Sequence, residues 1–213
     1  MSIKKSLDYE KTTEFSLQIR ATDKGTPSLY TDTGVEIGVI NVNEYPPTFT
    51  KDQYEESVSE AELVGYLVIT VSATDADADS TITYSIPAGL PFIITGNQIT
   101  ISSLLDYEEK AIYEFDVTAT DDGSKQTTAK IIIHVLDFND NSPIFVGLNI
   151  EKYVPENEKL GTTIATVIAN DKDSNTNGMV VYSIIDGNIG DAFYVDPVRE
   201  YPCLIIFLEG YGL

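Results

Sequence analysis

The sequence predicts an all-β chain of tandem β-sandwich modules. Three observations carry this reading: landmarks that return at a spacing of just under 100 residues, segments in which apolar and polar residues alternate, and no segment with a sustained helical apolar stripe. Leu7-Asp8-Tyr9-Glu10 returns as Leu105-Asp106-Tyr107-Glu108 and Ala21-Thr22-Asp23 as Ala119-Thr120-Asp121, both 98 residues later. Pro47-Thr48-Phe49 returns as Pro143-Ile144-Phe145, and Ala73-Thr74-Asp75 as Ala169-Asn170-Asp171, both 96 residues later. Tyr84-Ser85-Ile86 recurs intact as Tyr182-Ser183-Ile184. Five landmarks in constant order are a duplication, and the unit is the size of an immunoglobulin-like Greek-key sandwich, about 100 residues.

The elements follow in order. Phe15, Leu17, Ile19 and Ala21 alternate with Ser16, Gln18 and Arg20, which reads as a strand with one wet face. Ile69, Val71 and Ala73 predict a second strand of this kind. Tyr113, Phe115, Val117 and Ala119 repeat the first pattern in the same phase, so the same face turns inward. The β-branched run Thr127 to Val135 adds another strand. Breaks fall near Phe49 and Phe145. The expected organisation is therefore the C-terminal half of one repeat (1–48), a complete repeat (49–144), and the N-terminal part of a further repeat (145–213) with an atypical tail from about 198. Neither end coincides with a repeat boundary, so the chain reads as a piece of a longer array.

Composition narrows the function. The formal net charge is -21, from 34 acidic and 13 basic residues. This sign opposes binding to nucleic acid or to anionic lipid. The 42% of hydrophobic residues, with 13 Tyr and 8 Phe, argue against a disordered acidic tail. A single cysteine, Cys203, allows no intrachain disulfide, and with one histidine in the chain it has no second base to make it a catalytic thiol. His134 falls in a strand and reads as a residue of its wetter face. No signal peptide and no apolar run of membrane-spanning length is present in this sequence.

The acidic residues are clustered. Asp137-Phe138-Asn139-Asp140-Asn141-Ser142-Pro143 places two aspartates and two asparagines in seven residues, at a break between repeats. Such a run cannot enter a core without partners for its carboxylates. Hard oxygen donors on a short segment suit calcium, which takes 6–8 oxygen ligands.

Together, DFNDNSP, LDYE, the run Ala169-Asn170-Asp171-Lys172-Asp173 and the opening Pro155-Glu156-Asn157 resemble the extracellular repeats of cadherins, from Leu7 to about Pro197. That resemblance implies a cage for three calcium ions at each connection between repeats. At the second connection it implies Glu60, Asp106, Glu108, Asn139, Asp140, Asp171 and Asp173, with backbone carbonyls from Phe138, Asn141 and Asn177. At the first it implies Asp8, Glu10, Asn43, Glu44, Asp75, Asp77 and Asp121. Here the linker departs from the pattern, reading Asn41-Val42-Asn43-Glu44-Tyr45-Pro46-Pro47, and the loop after Asp77 lacks a counterpart of Asn177. Fewer ions or weaker binding are expected there. Asp23 and Glu156 would serve connections outside this chain.

The resemblance further implies calcium-dependent cell–cell adhesion at the plasma membrane, through homophilic or heterophilic contact with other cadherin-type ectodomains. The alternative is a spacer in a large extracellular receptor, without adhesive contacts of its own. With no Trp, exchange of a Trp-bearing strand cannot occur within this piece. A carboxylate-based enzyme is disfavoured because the acidic clusters recur at the repeat period, whereas an active site occurs once. The atypical tail after Asp196-Pro197 predicts a less stable last repeat.

Overall fold

The structure, a computed structural model, describes residues 2–78, 80–147 and 151–195, together with the backbone of 203–207. Most of the tail expected from about 198, and the side chain of Cys203, lie outside the described residues. The chain divides into two compact units. One comprises Met1–Val58, Glu62–Leu104 and Ile112–His134; the other comprises Ser59–Ala61, Leu105–Ala111 and Val135–Leu213.

Among the described residues every regular element is a strand, apart from one short 3-10 turn at Ile189–Asp191. Strands β1 (Glu14–Thr22) and β2 (Tyr30–Gly38) form a two-stranded antiparallel ribbon, with Glu14 opposite Gly38 and Thr22 opposite Tyr30. The Asp23 carboxylate closes the intervening loop by accepting hydrogen bonds from the Gly25 and Leu29 amides, at 3.0 and 2.9 Å. These two donors hold its pKa below the ordinary aspartate value. Phe15 and Leu17 are half-buried, as their alternation predicts, but Ile19 and Ala21 are exposed. The cause is topological. Among the described residues β1 pairs only with β2, so the inward face of this ribbon lacks the second sheet that a complete sandwich supplies.

The middle of the chain forms that sandwich. Its strands are β3 (Thr48–Phe49), β4 (Gln53–Ser59), β5 (Leu67–Thr70), β6 (Ala73–Thr74), β7 (Thr83–Ser85), β8 (Phe92–Thr95), β9 (Gln98–Ile101), β10 (Ile112–Thr120) and β11 (Gln126–Leu136). One sheet runs β4-β11-β10-β7 and the other β5-β9-β8, with β3 paired to β6. β10 and β11 alternate as predicted. Phe115, Val117 and Ala119 face inward beside Ala129, Ile131 and Ile133, with Phe115 opposite Ile131 and Val117 opposite Ala129. From the other sheet come Val68, Phe92, Ile99 and Ile101. Phe92 of β8 meets Tyr113 of β10 edge-on at 5.3 Å and stacks on Phe115 at 5.9 Å. Ile99, Ile131, Ile133, Val71 and Val117 are fully buried, and each stabilises the fold by about 1.5–3 kcal/mol through lost apolar surface. β8 and β9 are joined by the two-residue turn Gly96-Asn97, whose first residue needs a positive φ (58°) that glycine supplies without strain.

The period-two reading fails locally at β5. A register shift between Leu67 and Ile69 offsets the alternation, so Val68 and Val71 are buried while Ile69 and Ala73 are only half-buried.

The rest of the chain contains β12 (Ile144–Phe145), β13 (Thr163–Val167), β14 (Ala169–Asn170), β15 (Phe193–Val195) and β16 (Cys203–Phe207). β12 pairs with β14, and β13, β16 and β15 form a three-stranded sheet. The duplication read from the sequence has a structural counterpart. Phe49 lies against Tyr84 at 6.1 Å, and Phe145 lies against Tyr182 at 6.3 Å. The two tyrosine hydroxyls accept hydrogen bonds from the Ala73 and Ala169 amides, at 2.9 and 2.7 Å.

Candidate metal centres

The acidic residues occupy the strand ends that this fold brings together. β6 and β14 each run out into an Asp-x-Asp loop. In both, the first carboxylate accepts a hydrogen bond from the amide of the second: Asp77 to Asp75 at 2.9 Å, and Asp173 to Asp171 at 3.0 Å. These are Asx turns, formed because a short carboxylate can reach the amide two residues on. The second carboxylate captures the linker. Asp77 accepts from the Glu44 amide (3.3 Å) and the Tyr45 amide (2.9 Å). Asp173 accepts from the Asn141 amide at 3.3 Å and from the Asn141 side chain at 2.8 Å. Asp77 and Asp173 are only 5% and 7% exposed; donated hydrogen bonds at this depth offset part of the cost of burying charge.

The LDYE segments make the opposing wall. Asp106 caps its turn by accepting from the Glu109 amide at 2.9 Å. Asp8 does the same for Lys11 (3.1 Å) and also receives the Lys11 ammonium at 2.5 Å, which lowers the Asp8 pKa. Glu60 follows β4 and is 6% exposed. Its two oxygens accept from the Tyr107 amide (2.5 Å) and the Phe138 amide (2.7 Å), and its own amide donates to the Leu136 carbonyl at 3.2 Å. Glu60 therefore ties the end of β4 to an LDYE turn and to the linker.

Four groups of three carboxylates result, each with one oxygen per residue and all three oxygens within 4.8 Å of one another: Glu10–Glu44–Asp77, Asp75–Asp77–Asp121, Glu60–Glu108–Asp137 and Glu108–Asp140–Asp173. Each group lies within one compact unit. The first and the last are the same centre twice, since Glu10 and Glu108 are 98 residues apart while Glu44 and Asp140, and Asp77 and Asp173, are 96 apart. Crowding raises the Glu108 pKa above the ordinary glutamate value, first through partial loss of water and then through the charges of Glu60, Asp137 and Asp173.

The buried atoms test what these centres can hold. Five buried side-chain atoms among the described residues have no hydrogen-bond partner: Oδ1 of Asn41, Asn43 and Asp137, and Oδ2 of Asp75 and Asp121. All five are oxygens. A buried acceptor without a donor is costly, and a set of such acceptors beside clustered carboxylates fits a hard, oxygen-seeking cation such as calcium.

Of the residues named from the sequence, the structure groups Glu10, Glu44, Asp75, Asp77, Asp121, Glu60, Glu108, Asp140 and Asp173. It leaves Asp8, Asp106 and Asp171 outside these groups, each closing a turn instead. Asn43 presents its unpartnered Oδ1 and packs against Gly123, where a Cβ would collide with the Asn43 amide. Asn139 is exposed; Phe138 contributes its amide to Glu60; Asn141 ties Asp140 to Asp173 through its side-chain nitrogen. Asn177 donates through Nδ2 to Asp137 at 2.9 Å. Sequence reasoning placed Asp137 and Asn41 in their linkers without naming either as a ligand. Both open their linkers 96 residues apart, and that shared offset was the available signal.

Tandem β-sandwiches with recurrent acidic centres at their connections define a class of repeat protein, and comparison assigns the family. The family model described as Cadherin domain matches residues 54–136 and 151–206, and the chain belongs to this family. It is 39% identical over 210 residues to human Protocadherin Fat 1, covering 93% of this chain and 5% of that protein. It is 36% identical over 193 residues to the human Cadherin EGF LAG seven-pass G-type receptor 2, covering 87% of this chain and 7% of that receptor. Among solved structures, mouse Cadherin-23 EC22-24 matches with a TM-score of 0.84 at 31% identity, over 98% of this chain and 69% of that one. The Protocadherin GammaB4 extracellular domain matches with a TM-score of 0.85 at 30% identity, over 97% of this chain and 33% of that one. The chain thus spans only a small part of the curated relatives it matches.

Proposed function

We propose that these repeats bind calcium at their connections and stiffen part of an extracellular rod that serves calcium-dependent cell–cell adhesion. The repeats run as 1–48, 49–144 and 145–213, within a longer protein held at the outer face of the plasma membrane. The observation that carries this reading is the recurrence of one carboxylate centre, Glu10–Glu44–Asp77 and Glu108–Asp140–Asp173, at the repeat offset. Recurrence fits a structural joint and argues against a catalytic site. Among the described residues no helix is long and apolar enough to cross a membrane, so anchoring falls to other parts of such a protein.

Bound calcium supplies positive charge shared among carboxylates that otherwise repel. The protein's own part is to hold those carboxylates in place. Asp77 and Asp173 fasten each linker to its Asp-x-Asp loop, and Glu60 fastens the second linker to an LDYE turn. A joint ordered in this way transmits force, whereas one made only of mutually repelling carboxylates swings freely. Partners on the same or an apposed cell are other cadherin-type ectodomains.

Calorimetric titration of the whole chain with calcium tests this directly. The unaltered chain is expected to take up several ions, and Asp140→Ala to lose those of the second centre, as the 10–100-fold losses typical of disturbed metal shells predict. No heat of calcium binding in the unaltered chain refutes the reading. Beads coated with the chain that bind calcium yet never cluster would make these repeats spacers.

A further inference from the structure

We propose that the outer face of the β5-β9-β8 sheet in the complete repeat is a contact surface for the same face of a second copy of this chain. This rests on the adhesive reading above and gives it a surface and a partner. Residues 63–74 and 81–105 include all three strands of that sheet and contain no charged residue, in a chain where 22% of residues are charged. Apolar side chains stand out from the same sheet. Leu67 of β5 and Ile93 of β8 both lie opposite Thr100 of β9, so the three form one row across it. The row faces outward, because Ile99 and Ile101, on either side of Thr100, are buried. Where β5 begins, the Gly65 amide donates to the Ile101 carbonyl (2.8 Å) and the Ile101 amide to the Tyr66 carbonyl (3.0 Å). These bonds bring the turn Leu63–Tyr66 alongside the end of β9, from which the chain runs on to Leu104. Leu63, Val64, Tyr66, Leu67, Ile93 and Leu104 are 44–72% exposed and lie in one compact unit.

The fold does not require this strip. In the next repeat, 96 residues on, Leu63 is replaced by Lys159, Tyr66 by Thr162 and Leu67 by Thr163. The other sheet of the same sandwich is charged instead: Glu114 pairs with Lys130 at 2.8 Å, and Glu55 with His134 at 3.0 Å. Charge decides the occupant. A chain of net charge -21 repels its own copies wherever acidic surfaces meet. On the uncharged strip two copies approach without opposing like charges, and an isologous contact covers the apolar side chains of both at once. The same net charge opposes seating the strip on anionic lipid. No Asn-x-Ser/Thr acceptor occurs in the sequence, so no N-linked glycan covers it. Tyr66 is the kind of side chain that anchors interfaces. Six such side chains suffice for a weak contact, below the roughly 1,200 Å² of stable interfaces, and copies arrayed on apposed membranes add many of them together.

Sedimentation equilibrium of the whole chain in calcium tests this. The unaltered chain is expected to dimerise with rising concentration. Leu67→Glu should weaken dimerisation by at least about tenfold, through loss of an apolar anchor and a new like charge. Ile93→Glu, in the same row, should do the same, and serves if melting shows Leu67→Glu to be misfolded. Thr128→Glu adds the same charge at an exposed position of β11 in the other sheet and should leave dimerisation unchanged. Three results overturn the proposal: a chain that stays monomeric up to about 1 mM, a dimer weakened by Thr128→Glu but by neither strip variant, or association only with a different cadherin-type ectodomain. Calorimetry separates this from the calcium reading. A chain that takes up calcium and never self-associates overturns this surface alone, whereas a dimer sensitive to Leu67→Glu in a chain that takes up no calcium supports the surface and overturns the calcium reading.

Discussion

Glu60→Ala separates the two jobs of a buried carboxylate, because its effect should depend strongly on calcium. Without metal the substitution removes the acceptor of two amide hydrogen bonds, from Tyr107 and Phe138, at a side chain only 6% exposed. Leaving two such donors unsatisfied costs about 1–3 kcal/mol each. The same substitution removes a charge whose oxygen lies within 4.8 Å of those of Glu108 and Asp137. Relief of such repulsion lies between about 1 kcal/mol in water and about 4 kcal/mol at an effective dielectric constant of 20. The two effects oppose each other and overlap in size, so in EDTA they should largely cancel. With calcium at a hundredfold excess over its Kd, each ion bound only by the folded form adds about 2.7 kcal/mol. Losing one such ion lowers the calcium-driven rise in Tm by roughly 10–20 °C for a unit of this size. Differential scanning calorimetry in EDTA and in calcium measures both differences. A Glu60→Ala chain that gains as much Tm from calcium as the unaltered chain would refute the placement of Glu60 beside a metal.

Two further outcomes follow from the same geometry. The raised pKa of Glu108 means that the metal-free folded chain holds a proton there more readily than the unfolded chain does. This contribution is fully present below the unfolded value, near 4.5, and is lost as pH rises through the folded value. Metal-free chain should therefore lose stability as pH rises through that window, while calcium affinity gains as the competing proton leaves; Glu108→Gln should flatten both profiles, as read from melts in EDTA and in calcium between pH 4.5 and 7. Ile131→Ala empties a fully buried position opposite Phe115 and should cost about 2–5 kcal/mol. Melting should show equal losses in EDTA and in calcium, since Ile131 lies on a core strand face and belongs to none of the acidic groups.

The sandwich was legible because burial imposes period two on β10 and β11, where Phe115, Val117, Ile131 and Ile133 turn inward without interruption. It was less legible at β5, where one register shift between Leu67 and Ile69 exchanges the buried positions, and alternation cannot announce a bulge. In β1, Ile19 and Ala21 follow the core pattern yet are exposed, because a strand's sequence records the face it offers and not whether a second sheet covers it. The acidic centres were legible through repetition: Glu10 with Glu108, and Asp77 with Asp173, recur at the offset of the strands that carry them. The sequence places Asp137 in an oxygen-rich run without assigning it a ligand role, because its neighbours Asn139 and Asp140 fit the resemblance. Only three-dimensional structure shows that Asp137 bonds to Ser174 and Asn177 while also grouping with Glu60 and Glu108.

That division of oxygens recurs and explains how a chain of net charge -21 can hold carboxylates so close together. Asp75 gives Oδ1 to the Asp77 amide and keeps Oδ2 free. Asp121 gives Oδ1 to the Lys125 amide at 2.7 Å and keeps Oδ2 free. Asp137 gives Oδ2 to Ser174 and Asn177 and keeps Oδ1 free. In each case hydrogen bonds from the local fold anchor one oxygen and leave its twin buried without a donor. The rotamer entropy of these side chains is therefore spent during folding, and a cation arriving later need not order them. Anchoring of this kind makes an oxygen cluster selective for metal over water-mediated disorder, provided the anchoring donors stay in place. Most of those donors are backbone amides, which no substitution other than proline removes. The differences between the two connections then reside in the side chains that vary at the repeat offset, among them Asn41 in place of Asp137, Glu44 in place of Asp140 and Lys11 in place of Glu109.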